Sequence, residues 1–185
     1  MEKTLQQVRE FADRAHGQQL RKYTPDRYIV HPVRVMELCR QYTEDVTILA
    51  AALLHDVLEE TMVTKEGLKE FLLGQMENDK AERTLELVVE LTDVYIKKDF
   101  PRMNRRSRKE KEVERMANAS PDAQTIKYAD IIDNSVEIAK HDADFARVFL
   151  SECRNLLKKM NKGNPELYSH AVETVNRGFE ELKSN

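Results

Sequence analysis

Tryptophan is absent from this sequence, and glycine and proline number only five each among 185 residues. Both turn-formers fall well below their usual shares of about 7% and 5%. The glycines, Gly17, Gly67, Gly74, Gly163 and Gly178, lie too far apart to build a Gly-rich phosphate loop, which excludes the dinucleotide-binding and P-loop fingerprints. Long apolar runs are missing too. The longest unbroken one is Ile48 to Leu54, far short of the roughly 20 residues a membrane span requires. The opening residues MEKTLQQVRE hold no apolar signal core, so the cytoplasm is the expected address and no membrane partner is expected. Cysteine is scarce: Cys39 and Cys153 sit in helical contexts without paired spacing and are expected to be reduced core thiols. A formal net charge of −3 offers no global attraction to nucleic acid.

What remains is a chain rich in charge, at 34%, with apolar residues spaced for helices. Leu5, Val8, Phe11, Ala12 and Ala15 mark a first helix, and Pro32 can open a second at its first turn. Asp45 caps a third, expected from Val46 to about Glu60, and Thr64 can cap a short fourth. A fifth is expected over residues 79–95. Ser120-Pro121 starts another that runs to about Lys140, and two more follow near 143–160 and 165–182. No strand pattern, internal repeat or low-complexity linker interrupts them. The expected fold is all-α, a compact single-domain helical bundle over residues 1–185, large enough to bury about 70% of its unfolded surface. The sequence carries no signature of oligomeric state.

Residues 97–115 stand apart. They hold nine basic and four acidic side chains, a net +5, so the rest of the chain carries −8. This segment reads either as a solvated helix face laced by i,i+4 pairs or as a patch, with Arg105 and Arg106 at its centre, that receives a polyanion.

The third helix is the most apolar stretch of the protein, and it ends by placing His55 beside Asp56. An isolated carboxylate is costly to bury, so Asp56 needs a cation or a set of donors. A divalent metal meets that need and uses the imidazole as well. On a continuous helix Glu59 and Glu60 follow His55 and Asp56 by one turn. A metal with uncommitted carboxylates beside it is a hydrolytic arrangement, because the metal activates water and a carboxylate can move its proton. His31 precedes Pro32 at a helix start. Asp130 and Asn134 share a face of another apolar helix, where a second buried acid again asks for a cation. His31, His55, Asp56 and Asp130 make a mixed N/O set suited to Mn²⁺, Fe²⁺ or Zn²⁺. His16 reads as a packing or solvent-contact residue, with ordering of a nucleotide-binding loop as the alternative, and His141 and His170 read as surface residues.

The order H…HD…D in this setting resembles the HD-domain metal phosphohydrolases, and most closely the (p)ppGpp hydrolase domain of the Rel/Spo homologues and the stand-alone small alarmone hydrolases. The matching pieces are Ala15-His16-Gly17-Gln18, Arg21-Lys22, Tyr28-Ile-Val-His31-Pro32, the run from Ala50 to Thr61, Leu91-Thr92-Asp93, and Ser120-Pro121 through Lys127-Tyr-Ala-Asp130 to Asn134.

The resemblance implies a fold of the HD-domain type and one metal per chain, usually Mn²⁺, on His31, His55, Asp56 and Asp130. It implies that Glu59 and Glu60 assist the attacking water and the leaving group, that Arg21 and Lys22 contact the nucleotide, and that Asn134 lies near the ribose. The implied activity is hydrolysis of the 3′-pyrophosphate of guanosine alarmones, releasing pyrophosphate, with a small nucleotide as partner. Two departures stand out. Glu59-Glu60 replaces the usual Glu-Asp, and Asp130-Ile131-Ile132-Asp133-Asn134 lacks the usual lysine after the first aspartate. Rival expectations are another nucleotide phosphohydrolase, acting on a nucleoside monophosphate or a phosphorylated dinucleotide, and an alarmone sensor without turnover. Intact ligands with both glutamates favour an enzyme. The overall negative charge argues against nucleic-acid binding through residues 97–115.

Overall fold

The structure, a computed structural model, describes residues 1–184, which form ten α-helices and no strand. They group into two compact units, residues 1–92 and the residues from 93 on.

The first unit holds α1 (Glu2–His16), α2 (Val30–Arg40), α3 (Val46–Leu54), α4 (Val57–Glu60), α5 (Lys65–Leu73) and α6 (Asn78–Leu91). Helix α3 is its core, buried at every residue from Thr47 to Leu54. The apolar faces of α1 (Leu5, Val8, Ala12), α2 (Val35, Met36, Cys39) and α6 (Leu87, Val88, Leu91) pack around it. Each large aliphatic side chain so buried contributes about 1.5–3 kcal/mol. Asp45 caps α3 by accepting from the Thr47 amide at 2.8 Å, and Thr64 caps α5 by accepting from Gly67 N at 3.1 Å. These are the caps expected from sequence.

Two helix ends differ from expectation. The third helix stops at Leu54 and reopens as the four-residue α4. His55 Nδ1 bonds the Ala52 carbonyl at 2.8 Å, the acceptor an unbroken helix would offer to the Asp56 amide. Asp56 relaxes to φ −96°, ψ −6°, in the sparsely allowed bridge region. The helix expected over 79–95 ends at Leu91, where Thr92 Oγ1 donates to the Val88 carbonyl at 2.8 Å and its backbone turns extended.

The second unit holds α7 (Arg105–Asn118), α8 (Pro121–His141), α9 (Ala143–Leu157) and α10 (Pro165–Ser184). Helix α8 is its spine: α9 and α10 pack on it, and α7 packs on α9. Ser120 caps α8 with Pro121 in the first turn, and Asn104 caps α7. The turn over residues 160–164 is fastened to α8. Tyr128 Oη donates to the Met160 carbonyl (3.0 Å), Lys162 N to Gln124 Oε1 (2.9 Å) and Asn164 N to Thr125 Oγ1 (2.9 Å). Gly163 permits this approach, since a Cβ there would lie 2.6 Å from Tyr128 Cε2 and 2.8 Å from Thr125 N. Cys39 and Cys153 are free and buried, and burial pushes the Cys39 thiol up to about 12.

Candidate metal centre

Three residues of the first unit converge. His31 comes from the first turn of α2, and His55 and Asp56 from the break between α3 and α4. Each offers one ligand atom, and the three atoms lie within 4.8 Å of one another. Asp56 Oδ2 is 3.1 Å from His55 Nε2 and 3.6 Å from His31 Nε2. Both imidazoles are buried and the Asp56 side chain is 20% exposed, so a cation there would sit in a largely dry pocket. A carbonyl only accepts, so the His55 Nδ1 contact with Ala52 O requires the proton on Nδ1. In the neutral ring that leaves the Nε2 lone pair turned toward the carboxylate. A ring oriented through its far nitrogen is the usual setting of a metal-bound histidine. A lone pair facing a carboxylate oxygen at 3.1 Å calls for a positive charge between them. The donor set therefore fits a divalent metal.

Around this cluster the structure places Tyr28 and Gln19, to which the sequence reading gave no role, and His16, read there as a packing or solvent-contact residue. Tyr28 Oη donates to Asp56 Oδ2 at 2.7 Å. Burial, with the Asp56 charge beside it, pushes this phenol above its usual range, so it stays a donor. His16, at the end of α1, stacks on Tyr28 with centroids 4.4 Å apart. Its Nδ1 pairs with Gln19 Oε1 at 3.0 Å, and Gln19 Nε2 donates to Glu60 Oε2 at 3.4 Å. Burial lowers the His16 pKa, opposed by the Gln19 hydrogen bond and the Asp56 charge. Tyr28 stood inside the quoted Tyr28-Ile-Val-His31-Pro32 run. The available signal was a phenol three residues before His31.

Glu59 and Glu60 are exposed on α4. Arg21 lies over the Tyr28 ring, its Cζ 5.5 Å from the centroid. Lys22 is exposed and donates to Tyr23 Oη at 2.8 Å.

The other expected site residues belong to the second unit. Asp130 is 7% exposed on α8. Lys127 Nζ lies 2.8 Å from its Oδ2, and Asn134 Nδ2 donates to its Oδ1 at 2.6 Å. Much of the cation this buried acid asked for is thus supplied three residues upstream. Asp93 pairs with Lys109 at 2.9 Å; Lys127 and Lys109 hold its carboxyl below the usual range against the opposing effect of burial. Arg105 forms a two-pronged pair with Glu152 (2.8 and 2.7 Å), which raises its pKa, while Arg106 pairs with Glu110 at i,i+4. Arg105, Arg106, Lys109, Lys127 and Asp130 share a cavity of about 970 Å³ between α7, α8 and α9. The basic segment is thus in part a paired helix face and in part a cavity wall. Among the described residues no helix is long and apolar enough to cross a membrane.

The HD domain family model matches residues 28–135. A human protein named guanosine-3′,5′-bis(diphosphate) 3′-pyrophosphohydrolase MESH1 is 35% identical over 135 residues, which cover 70% of this chain and 66% of that protein. A probable GTP pyrophosphokinase of Mycobacterium leprae is 44% identical over 66 residues, 36% of this chain and 8% of its own length. This chain therefore spans just under two thirds of one curated relative and a small fraction of the other. Among solved structures, one described as a metazoan ortholog of SpoT that hydrolyses ppGpp has a TM-score of 0.79 at 22% identity, covering 94% of each chain. That likeness is one of fold.

Proposed function

The chain belongs to the HD domain family, and on that premise we propose that it hydrolyses the 3′-pyrophosphate of guanosine 3′,5′-bis(diphosphates), using a divalent metal, Mn²⁺ first among them, held by His31, His55 and Asp56. The observation that carries this reading is the convergence of those three ligand atoms within 4.8 Å in a chain that shares 35% identity over 135 residues with a relative named for that reaction. Asp130 is assigned as the fourth ligand, on the reading that a buried acid on an apolar helix asks for a cation and on the resemblance. We take residues 1–185 as one catalytic domain, because the family match runs across residue 92, and the cytoplasm as its address.

A divalent cation at this centre supplies Lewis acidity toward water and phosphate oxygens. The chain's own residues do the rest. Water attacks the phosphorus bonded to O3′, the P–O3′ bond breaks, the ribose oxygen takes up a proton and pyrophosphate is released. Glu59 and Glu60, exposed one turn past Asp56, take the proton of the attacking water and return one to the leaving oxygen. Gln19 steadies Glu60 through its 3.4 Å hydrogen bond. Arg21 and Lys22 meet the nucleotide phosphates as cations, and Asn134 is assigned to the ribose. Arg105 and Arg106, on the wall of the 970 Å³ cavity, are assigned to phosphate charge.

The test is a nucleotide panel assayed with Mn²⁺ and read as pyrophosphate against orthophosphate. Pyrophosphate from ppGpp is expected. Orthophosphate from a nucleoside monophosphate or a phosphorylated dinucleotide would replace this reading with another phosphohydrolase. Tight ppGpp binding without turnover would replace it with a sensor. Glu59→Gln is expected to keep its metal while losing about 10²–10⁴-fold in kcat, the usual contribution of a positioned acid or base.

A further inference from the structure

Tyr28 is the residue on which the separate parts of the first unit's site meet. Its hydroxyl donates to Asp56 Oδ2, the same oxygen that lies 3.1 and 3.6 Å from the two imidazole Nε2 atoms. Its ring stacks on His16, meets His31 edge-on at 6.1 Å, and carries the Arg21 guanidinium at 5.5 Å.

Its backbone is tied as firmly. Tyr28 N donates to the Gln19 carbonyl at 2.9 Å and Arg21 N to Asp26 O at 2.9 Å, closing the loop that bears Arg21 and Lys22. Its own carbonyl accepts from His31 N at 3.0 Å, at the entry to α2. Asp56 has a short side chain at a helix break, where no continuous turn orients it. A phenol tied through both its own N–H and its own carbonyl orients it instead.

We infer that Tyr28 is a positioning residue for the metal centre: its hydroxyl holds the Asp56 carboxylate in ligating orientation, and its ring presents Arg21. The Asp56 part rests on the clustered ligand atoms, and the Arg21 part rests on the functional reading proposed above. Hydrogen-bond partners of metal ligands typically govern metal affinity by about 10- to 100-fold.

The experiment compares the full chain with Tyr28→Phe, which removes the hydroxyl and keeps the ring. Manganese alone is titrated by electron paramagnetic resonance, without nucleotide. Tyr28→Phe is expected to weaken Mn²⁺ binding by about 10- to 100-fold. It should lower kcat in a way that excess Mn²⁺ largely restores, and leave KM for ppGpp within about twofold.

Wild-type Mn²⁺ affinity in Tyr28→Phe would overturn the Asp56 part. That arm stands whether or not ppGpp is the substrate, whereas an inactive wild type would sink the functional reading alone. Tyr28→Leu, which also deletes the surface under Arg21, is expected to add a KM rise of about threefold or more. A Leu variant with the Phe variant's KM would overturn the Arg21 part. If Tyr28→Leu does not fold, Arg21→Met decides the same point, and an unchanged KM there overturns it.

Discussion

Each unit contains a shielded aspartate beside an apolar helix, and the two are held differently. Asp56 in the first unit meets two imidazole nitrogens and a phenol. Asp130 in the second meets a lysine ammonium and a carboxamide. The phenol donates to the carboxylate, and the His55 Nε2 lone pair turned toward it can ligate a cation beside it. A lysine at 2.8 Å offsets the charge directly and has no lone pair to give while protonated. The requirement that a buried acid find a cation therefore meets two settings in one chain: a cluster of donors that could share a metal, and an ion pair within one helix. Burial of an acid alone does not tell them apart. The neighbouring donors do.

The largest effect that would break or sharpen this contrast is loss of the metal. His55→Ala and Asp56→Ala are each expected to take metal content from one per chain to none by elemental analysis, and to abolish turnover. Asp130→Ala is the discriminating variant. Loss of metal there would make Asp130 a ligand despite its lysine. Full occupancy would remove it from the set and leave the centre to His31, His55 and Asp56.

The same contrast explains what the sequence revealed. Helix α3 was legible because its apolar run is continuous, and Asp45, Thr64 and Ser120 were legible as caps because capping acts within three residues. His31, His55 and Asp56 were legible because their residue types and their setting carry the chemistry. The break at Leu54 was not, since it depends on a side chain bonding its own helix's backbone. Tyr28 was passed over for a similar reason: the Tyr28–Asp56 bond spans 28 positions, and no periodicity announces it. The partners of Arg105 were equally hidden, because Glu152 lies 47 residues away.

Glu112 is the clearest case of a role concealed by composition. It counted as one acid among the charges of residues 97–115, yet it is 4% exposed. Its Oε1 accepts from Val94 N at 2.7 Å and Tyr95 N at 2.6 Å, and its Oε2 from Arg115 Nε at 2.7 Å. This carboxylate ties the segment after residue 92 to α7. Glu112→Ala would remove the acceptor of two backbone amides and of Arg115 Nε, and breaking a buried pair in this way costs about 3–5 kcal/mol. Urea unfolding is expected to show a loss of that size, with Glu112→Gln intermediate because an amide oxygen can still accept from both backbone donors. A loss of about 0.5 kcal/mol or less, as for an ordinary surface substitution, would return Glu112 to the solvated face and weaken the view that the second unit settles its acids internally.

The smallest effect concerns His16, where the first unit shelters a titratable ring without a counter-charge in contact. The ring is 6% exposed, stacked on Tyr28 and bonded at Nδ1 to Gln19, and its Nε2 has no hydrogen-bond partner among the described residues. Burial favours the neutral ring and outweighs the Gln19 bond and the Asp56 and Glu60 charges, so the folded pKa lies below the ordinary imidazole value of about 6.5. The unfolded chain then binds more protons than the folded one as pH drops below that value. Stability contributed by neutral His16 is therefore full above about pH 6.5 and is lost as pH falls through the folded pKa. Nuclear magnetic resonance titration of the ring is expected to give a midpoint below 6.5. His16→Phe, which keeps an aromatic face on Tyr28 but cannot titrate, should lose less stability than wild type between pH 7.5 and pH 5.5 in urea unfolding. A midpoint at or above 6.5 would mean that the Asp56 and Glu60 charges reach His16 more strongly than burial does, placing the ring inside the acid site's own electrostatics rather than in its apolar wall.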